Sequence, residues 1–314
     1  MAAGTNVAVN ERTIHGSGLE LFVTERGDPV HQTVVCIHGF PDTSAVWAPF
    51  AESLASDFHV VTYDVRGAGR SEVPAHRADY ALPVLVEDIE AVLNATSPDR
   101  PVHLVAHDWG SIQGWEAVTT ERLRGRFASY TSISGPPIDH AGLWALRRRT
   151  RKLADLRQAL WQAVHSWYIV FFHLPFLPEL AARNARAQRL WGKALHRMEG
   201  APVDATWPAP TFGQDFAHGV ELYRANIRTR MAHPTLGHAT CPVQLIIPLK
   251  DRYVTPALLE GLEDWASLMW RRPVDAGHWV VRTNAAELGR WVREVISYVE
   301  EGTESSDLQR GRVA

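Results

Sequence analysis

The stretch Pro101-Val-His-Leu-Val-Ala-His-Asp-Trp-Gly-Ser111 runs from an apolar segment of strand length into a tight turn and then a helix-forming segment, with no spacer between them. Asp108 stands at the apex. A turn this sharp lifts its central side chain clear of the sheet edge and leaves little room for bulk two residues to either side, which accounts for Ala106 and Gly110. The pattern is small-x-Asp-x-Gly, where the common nucleophile elbow carries Gly-x-Ser-x-Gly. A carboxylate at the apex selects different chemistry from a hydroxyl. Its attack on an electrophilic carbon gives an alkyl ester, whereas serine attacking a carbonyl gives an acyl ester. Asp ahead of a helix is also a common N-cap, and the surrounding chain decides between the two roles.

Outward from this turn, strands and helices alternate. Upstream, Ile14, Leu19, Leu21 and Val23 alternate around a Gly-Ser-Gly and predict an edge hairpin over residues 12–24. Thr33 to Ile37 is a short buried strand ending in His38-Gly39-Phe40-Pro41, followed by a helix carrying Val46, Trp47, Phe50 and Leu54 at helical spacing. Phe58 to Tyr63 is the next strand and closes in Asp64-Val-Arg-Gly-Ala-Gly-Arg-Ser71. The lone Gly-x-Gly there is no dinucleotide site, because the third glycine is missing and Pro74 interrupts the helix such a site needs. Helical spacing from Pro83 to Leu93 leads into the elbow strand, which is followed by a helix from Ile112 to about Arg122 and a strand from Phe127 to Ser134. Further on come a strand at Val243 to Ile247, a helix over 256–265, a strand near 268–274 and a final helix over 285–300. This rhythm predicts an α/β chain with a mostly parallel central sheet flanked by helices.

The rhythm breaks once. Residues 136–235 show no buried strand, only proline-punctuated helical segments rich in Arg, Ala, Leu and aromatics, so they read as a helical lid inserted into one core made of 1–135 and 236–300. Residues 301–314 are polar and aperiodic and read as a disordered tail. The net charge of −3 gives no reason to expect a nucleic-acid partner, but its distribution is uneven. The insert holds 14 Lys and Arg against 7 Asp and Glu, so it carries about +7 and the remainder about −10. Cys36 and Cys241 are the only cysteines and form no ligand spacing, which suits a reducing compartment. The N-terminus lacks the basic start and apolar run of a signal peptide, and the apolar run Trp167 to Phe172 is too short to cross a bilayer. A cytoplasmic protein is expected, at most peripheral to a membrane.

Four points fall after strands on one side of the expected sheet: the His38-Gly39-Phe40-Pro41 segment, Asp108, Asp251 and His278. Open α/β sheets gather their ligand sites at these carboxyl ends. Taken in chain order, Asp108, Asp251 and His278 give nucleophile, acid and histidine, the order of a triad on this kind of sheet. A lone Asp or His in a loop is usually only solvated; three in this order after these strands point to catalysis. Asp139, after the sixth strand, is an alternative acid. His233, His238 and Cys241 lack a recognised zinc spacing and read as loop and strand-end positions, so no metal is expected.

The chain resembles the α/β-hydrolase superfamily and, within it, the epoxide hydrolases, over about residues 10–300. The resemblance rests on His-Gly-Phe-Pro at 38–41, Asp-x-Arg-Gly-x-Gly-x-Ser at 64–71, His-Asp-Trp-Gly at 107–110 and Gly-His-Trp at 277–279, marks that dehalogenases share. More specific are Tyr168, in Tyr-Ile-Val-Phe-Phe-His-Leu-Pro, and Tyr223, in Leu-Tyr-Arg-Ala-Asn, which resemble the family's two lid tyrosines. The phrase Ser-Gly-Pro-Pro-Ile-Asp-His at 134–140 is similar to the hydrolase half of mycobacterial proteins fused to a short-chain dehydrogenase. Spacing alone places Tyr168 on a stripe with Leu160, Val164 and Phe171, and Tyr223 on one with Phe216, Val220 and Ile227, where either could be a core residue.

The resemblance implies hydrolysis of an epoxide to a vicinal diol through an ester on Asp108, with Tyr168 and Tyr223 serving the leaving oxygen and His278, oriented by Asp251, activating water. The backbone N–H groups of Phe40 and Trp109 would form the oxyanion hole, and Phe40, Trp109, Trp167 and Phe171 would line the substrate pocket. No cofactor is implied. The partners are a small lipophilic epoxide and water, with a homodimer and a lipid or membrane contact also expected. Arg147, Arg148, Arg149, Arg151 and Lys152, beside Leu143, Trp144, Leu146 and Leu153, carry the lipid expectation. The nearest alternative is a dehalogenase, whose halide would use an Asn where Phe40 stands or a second indole such as Trp161 or Trp167. A non-catalytic ligand-binding protein on the same fold is the other.

Overall fold

Eight strands form one sheet in the computed structural model, which describes residues 8–148 and 152–313. They are β1 Val9–His15, β2 Glu20–Arg26, β3 Thr33–Ile37, β4 His59–Tyr63, β5 Val102–His107, β6 Phe127–Ile133, β7 Val243–Pro248 and β8 Met269–Val274. Their spatial order is β1-β2-β4-β3-β5-β6-β7-β8. The β1–β2 hairpin joins β4 antiparallel, and β4 through β8 run parallel. The helices are α1 Ala48–Leu54, α2 Leu82–Thr96 and α3 Trp109–Thr119; α4 Ile138–Arg147, α5 Leu153–His165, α6 Trp167–Phe172, α7 Leu177–Arg183, α8 Ala185–Glu199 and α9 Phe212–Ala232, all between β6 and β7; and α10 Val280–Thr283, α11 Ala285–Glu301 and α12 Ser306–Gly311 after β8. The expected α/β architecture is borne out.

Two apolar layers hold the sheet, and the period-2 alternation of the strands sorts residues between them. On β3, Val35 and Ile37 enter one layer with Val86, Ile89 and Leu93 of α2 and Trp115 and Val118 of α3. Val34 and Cys36 enter the other with Phe50 and Leu54 of α1 and Trp291, Val292 and Ile296 of α11. The central strands are buried on both faces, which is why they read as continuous apolar runs. The loop Asp64 to Ser71 proves structural. Asp64 accepts from Ser44 N and Arg70 N, at 2.8 and 2.9 Å, and Arg66 forms a buried fork on Asp88 at 2.6 and 2.7 Å. Gly67 and Gly69 both have positive φ.

Several local expectations need correction. α3 begins at Trp109 and ends at Thr119, earlier than the reading of Ile112 to about Arg122, because the elbow passes directly into helix. Residues 256–265 form two short 3-10 turns broken by Gly261 in the left-handed region. Where a disordered tail was expected over 301–314, the described residues up to 313 hold a helix: α12 is capped by the Ser305 hydroxyl, and its Leu308 is fully buried with Trp270 and Val295. Leu308 is joined by the Trp270 indole donating to Glu304 at 3.1 Å and by Val313 N donating to Met269 O at 2.9 Å, so a segment too polar to show periodicity is held to β8. The stripe Leu160–Val164–Tyr168–Phe171 is also broken, since the helix ends at His165 and a new one starts at Trp167, leaving Leu160 and Val164 exposed. In the basic segment, Arg147 and Arg148 pair with Asp264 and Glu260, Arg148 lies over the buried Trp144, and Arg149 and Arg151 fall outside the described residues.

Candidate active site

The elbow places Asp108 between β5 and α3 at φ 53°, ψ −121°, a backbone conformation that few non-glycine residues adopt. Its main chain is held on both sides, Asp108 N donating to Ile133 O at 2.9 Å and Ile112 N to Asp108 O at 3.0 Å. Three glycines make the space. A Cβ on Gly110 would strike the Ile37 carbonyl, one on Gly39 the Asp108 side chain, and one on Gly135 the Asp108 carbonyl. Gly110 was legible from the turn alone. Gly39 and Gly135 come from other strand ends and required the sheet. The side chain of Asp108 makes no cap hydrogen bond to its helix, so the capping role does not apply.

The turn after β3 approaches Asp108 through Phe40, whose N–H donates to Asp108 Oδ1 at 2.8 Å. The Phe40–Pro41 peptide bond is cis. His38 braces this turn, with Nδ1 at 2.9 Å from Gly39 O and Nε2 accepting from Val65 N at 2.9 Å. Trp109 is the first residue of α3, and an N–H at that position has no partner within its own helix.

His278, in the loop after β8, is buried, with Nδ1 2.9 Å from Asp251 Oδ2 and Nε2 3.6 Å from Asp108 Oδ2. The other Asp251 oxygen accepts from Tyr253 N at 2.8 Å and Val254 N at 3.0 Å. Burial works to raise the Asp251 carboxyl, but the His278 charge and hydrogen bond and these two N–H groups outweigh it and hold it below the ordinary range. Burial likewise opposes the charge on His278, yet Asp251 and Asp108 bring it well above the ordinary imidazole value. His107 supports the loop from below through Nε2, 2.9 Å from His278 O; burial depresses its own value to about 4 and keeps it neutral. Asp139 lies elsewhere, paired with Arg230 at 2.7 Å and accepting from Thr235 N at 2.8 Å.

A cavity of about 290 Å³ opens over Asp108 and His278. Tyr168, Tyr223, Phe40, Trp167 and Phe171 line it, together with residues the sequence did not assign to a pocket: Phe172, Trp191, Phe212, Phe216, Tyr253 and Trp279. Trp161 is exposed and absent from the lining. Trp109 is buried beneath Tyr223, ring centroids 4.8 Å apart. The rings of Tyr168 and Tyr223 meet edge to face at 6.0 Å. Burial pushes both phenols well above their usual value; the Asp108 charge adds in the same direction, so both stay protonated. Tyr253 packs 4.8 Å from the His278 ring and 5.5 Å from Tyr168; its place two residues after Asp251 was the available signal. The buried Asp42 was also missed. It accepts from the indoles of Trp207, at 2.7 Å, and Trp279, at 2.9 Å, tying the turn after β3 to the segment between α8 and α9 and to the His278 loop.

A family model described as alpha/beta hydrolase fold matches residues 32–285. The chain belongs to that family. Relatives of this α/β hydrolase include "Probable oxidoreductase EphD" of Mycobacterium tuberculosis, 35% identical over 94% of this chain and 51% of that protein. "Epoxide hydrolase A" of the same organism is 32% identical over 58% of this chain and 54% of that one. The chain spans about half the length of these curated relatives. Among solved structures, a Bacillus megaterium epoxide hydrolase in complex with an inhibitor superposes with a TM-score of 0.75 at 21% identity, covering 91% of this chain and all of that one.

Proposed function

We propose that this α/β hydrolase opens an epoxide to a vicinal diol. The observation that carries the reading is a carboxylate at the elbow apex facing two protonated phenols, the buried Tyr223 and the half-buried Tyr168, across an apolar cavity. Relatives named for epoxide hydrolysis support it. Asp108 Oδ2 attacks one epoxide carbon, the carbon–oxygen bond breaks, and the departing alkoxide takes a proton from Tyr168 or Tyr223. The resulting ester removes the negative charge of Asp108, which is one of the influences holding His278 protonated. Alkylation therefore moves His278 toward the neutral form that can act as a base. Its Nε2 takes a proton from water, whose oxygen attacks the Asp108 ester carbon. The oxyanion is held by the N–H groups of Phe40 and Trp109, and a single donor of this type is worth about 100-fold to 1000-fold in rate. Collapse breaks the bond to the alkyl oxygen, and His278 returns its proton to that oxygen as the diol leaves; the tyrosinate left by the first step recovers the proton that His278 sheds on becoming neutral, and the water's second proton, left on the Asp108 carboxyl, recharges His278.

A lipophilic epoxide and water are the small-molecule partners in this reading, and a lipid surface and a second copy of the chain are the larger candidates. Single turnover with excess enzyme in heavy-oxygen water is expected to place label in the Asp108 carboxyl. Label appearing only in the diol means direct attack by water, and the nucleophile assignment falls.

A further inference from the structure

A surface helix ordinarily turns its apolar stripe inward. α5 does the reverse. Its buried contact is polar: Gln162 Nε2 donates to Tyr253 O and Ser166 Oγ, both at 2.9 Å, and Gln162 Oε1 accepts from Thr255 N at 3.1 Å and Thr255 Oγ1 at 2.7 Å. Gln158 joins the same side by accepting from Arg148 Nε at 3.0 Å. With α5 held down by amides, Leu156, Leu160 and Val164 stand on the opposite stripe, 48%, 58% and 64% exposed, with Trp161 beside them. The neighbouring helices add exposed apolar side chains of their own, Val170 of α6 at 71% and Leu180 of α7 at 69%. Exposed apolar side chains in this number on three neighbouring helices mark a contact site.

Two further observations choose what covers it. Trp167 lines the catalytic cavity and is itself 65% exposed, so the cavity reaches the surface within this apolar face. Arg157 of α5, Arg183 of α7 and Arg186 and Lys193 of α8 are exposed, and none of them has a carboxylate partner among the described residues. The lid as a whole carries about +7. A second copy seated through this face would press one basic lid against another. An anionic lipid surface accepts both the apolar side chains and the surrounding cations, and it suits indoles at the boundary.

We propose that the outward face of α5, α6 and the start of α7 docks on an anionic lipid bilayer and presents the mouth of the cavity to lipid-dissolved substrate. The identity of that substrate rests on the epoxide reading; the docking itself does not. The test is co-sedimentation of the full chain with vesicles of phosphatidylcholine alone and of phosphatidylcholine mixed with phosphatidylglycerol. Turnover of styrene oxide without vesicles is measured in parallel. The parent is expected to pellet with the mixed vesicles and far less with the neutral ones. Leu160→Gln, Val164→Gln and Val170→Gln together should weaken partitioning on the order of tenfold. Arg157→Gln and Arg183→Gln should each cost roughly fivefold, an effect that added salt erases. Both sets should leave styrene oxide turnover at the parent rate. Negligible parental binding to both vesicle types overturns the proposal, as does a triple variant that binds like the parent. Concentration-dependent dimerisation lost in the triple variant, without vesicle binding, assigns the face to a second copy instead. A chain that docks but opens no epoxide keeps the surface and loses the reaction.

Discussion

Asp108 keeps a strained backbone because Gly39, Gly110 and Gly135 let three strand ends crowd around it. Gly110→Ala is therefore expected to cost more than the about 1 kcal/mol typical of a substitution, since its new methyl meets the rigid backbone of β3 rather than a movable side chain. Chemical denaturation measures it. Across the cavity, the two phenols separate epoxide from halide chemistry, because an alkoxide needs a proton to leave and a halide does not. Tyr168→Phe or Tyr223→Phe should slow ester formation, and the double variant should lose on the order of 100-fold or more. His278→Ala should instead accumulate the ester. Rapid-quench mass spectrometry of the intact protein distinguishes these outcomes, and a double Phe variant forming ester at the parent rate would sink the role of both tyrosines. Asp42 supplies a pH signature. Burial raises its carboxyl to about 6, against which the indoles of Trp207 and Trp279 work. A carboxyl with a raised value in the folded state favours folding when protonated. Its contribution therefore declines as pH rises from about 4 to about 6 and stays lost above that. Asp42→Asn should flatten the stability profile across this window by on the order of 3 kcal/mol, and thermal melts of both proteins at pH 4 through 8 would reveal an unchanged slope if the assignment is wrong.

At the scale of elements, α5 is attached through the amides of Gln162 and Gln158 where most helices use a stripe of leucines. Gln162→Ala would leave the Thr255 N–H and hydroxyl and the Tyr253 carbonyl without their partner, a loss of about 1–3 kcal/mol. The change should also loosen the loop that carries Asp251. Faster amide exchange at Tyr253 to Thr255 is the expected readout; unchanged protection there would mean that α5 is held by something else. At the other end of the chain, Leu308 anchors α12 against Trp270. Leu308→Ala should cost roughly 2 kcal/mol or more and release α12 to protease before the sheet melts.

For the whole molecule, the lid is joined to the core by buried polar links as well as by the cavity walls. Trp207 donates to Asp42, Asp215 of α9 accepts from Gly69 N at 2.9 Å, and Asn226 of α9 accepts from Leu82 N and donates to Tyr80 O, both at 2.9 Å. These links fall on the turn after β3, the Asp64 to Ser71 loop and the start of α2, so the α4–α9 insertion and the sheet are expected to unfold together. Trp207→Phe removes the donor to Asp42 while keeping an aromatic ring. Limited proteolysis should then cut the lid sooner than in the parent, and identical cleavage times would show that this link does not hold the lid.

The sequence by itself determined the strands and the positions at their ends. Buried parallel strands must be short apolar runs, and Asp108, the Phe40 turn, Asp251 and His278 each follow one within a few residues; periodicity and chain order were sufficient to place them at the strand ends. The tertiary structure decided what depends on distance between segments remote in sequence. It placed Asp251 rather than Asp139 on His278, since both follow strands and only the packing of Arg230 against α4 occupies Asp139. It set Asp42 between two indoles, Trp207 and Trp279, that lie far from it along the chain. It also turned α5 outward. A helical stripe of leucines signals burial only if something is packed against it, and here the hydrogen bonds of Gln162 fixed the rotation of the helix instead, leaving Leu160 and Val164 to the surface.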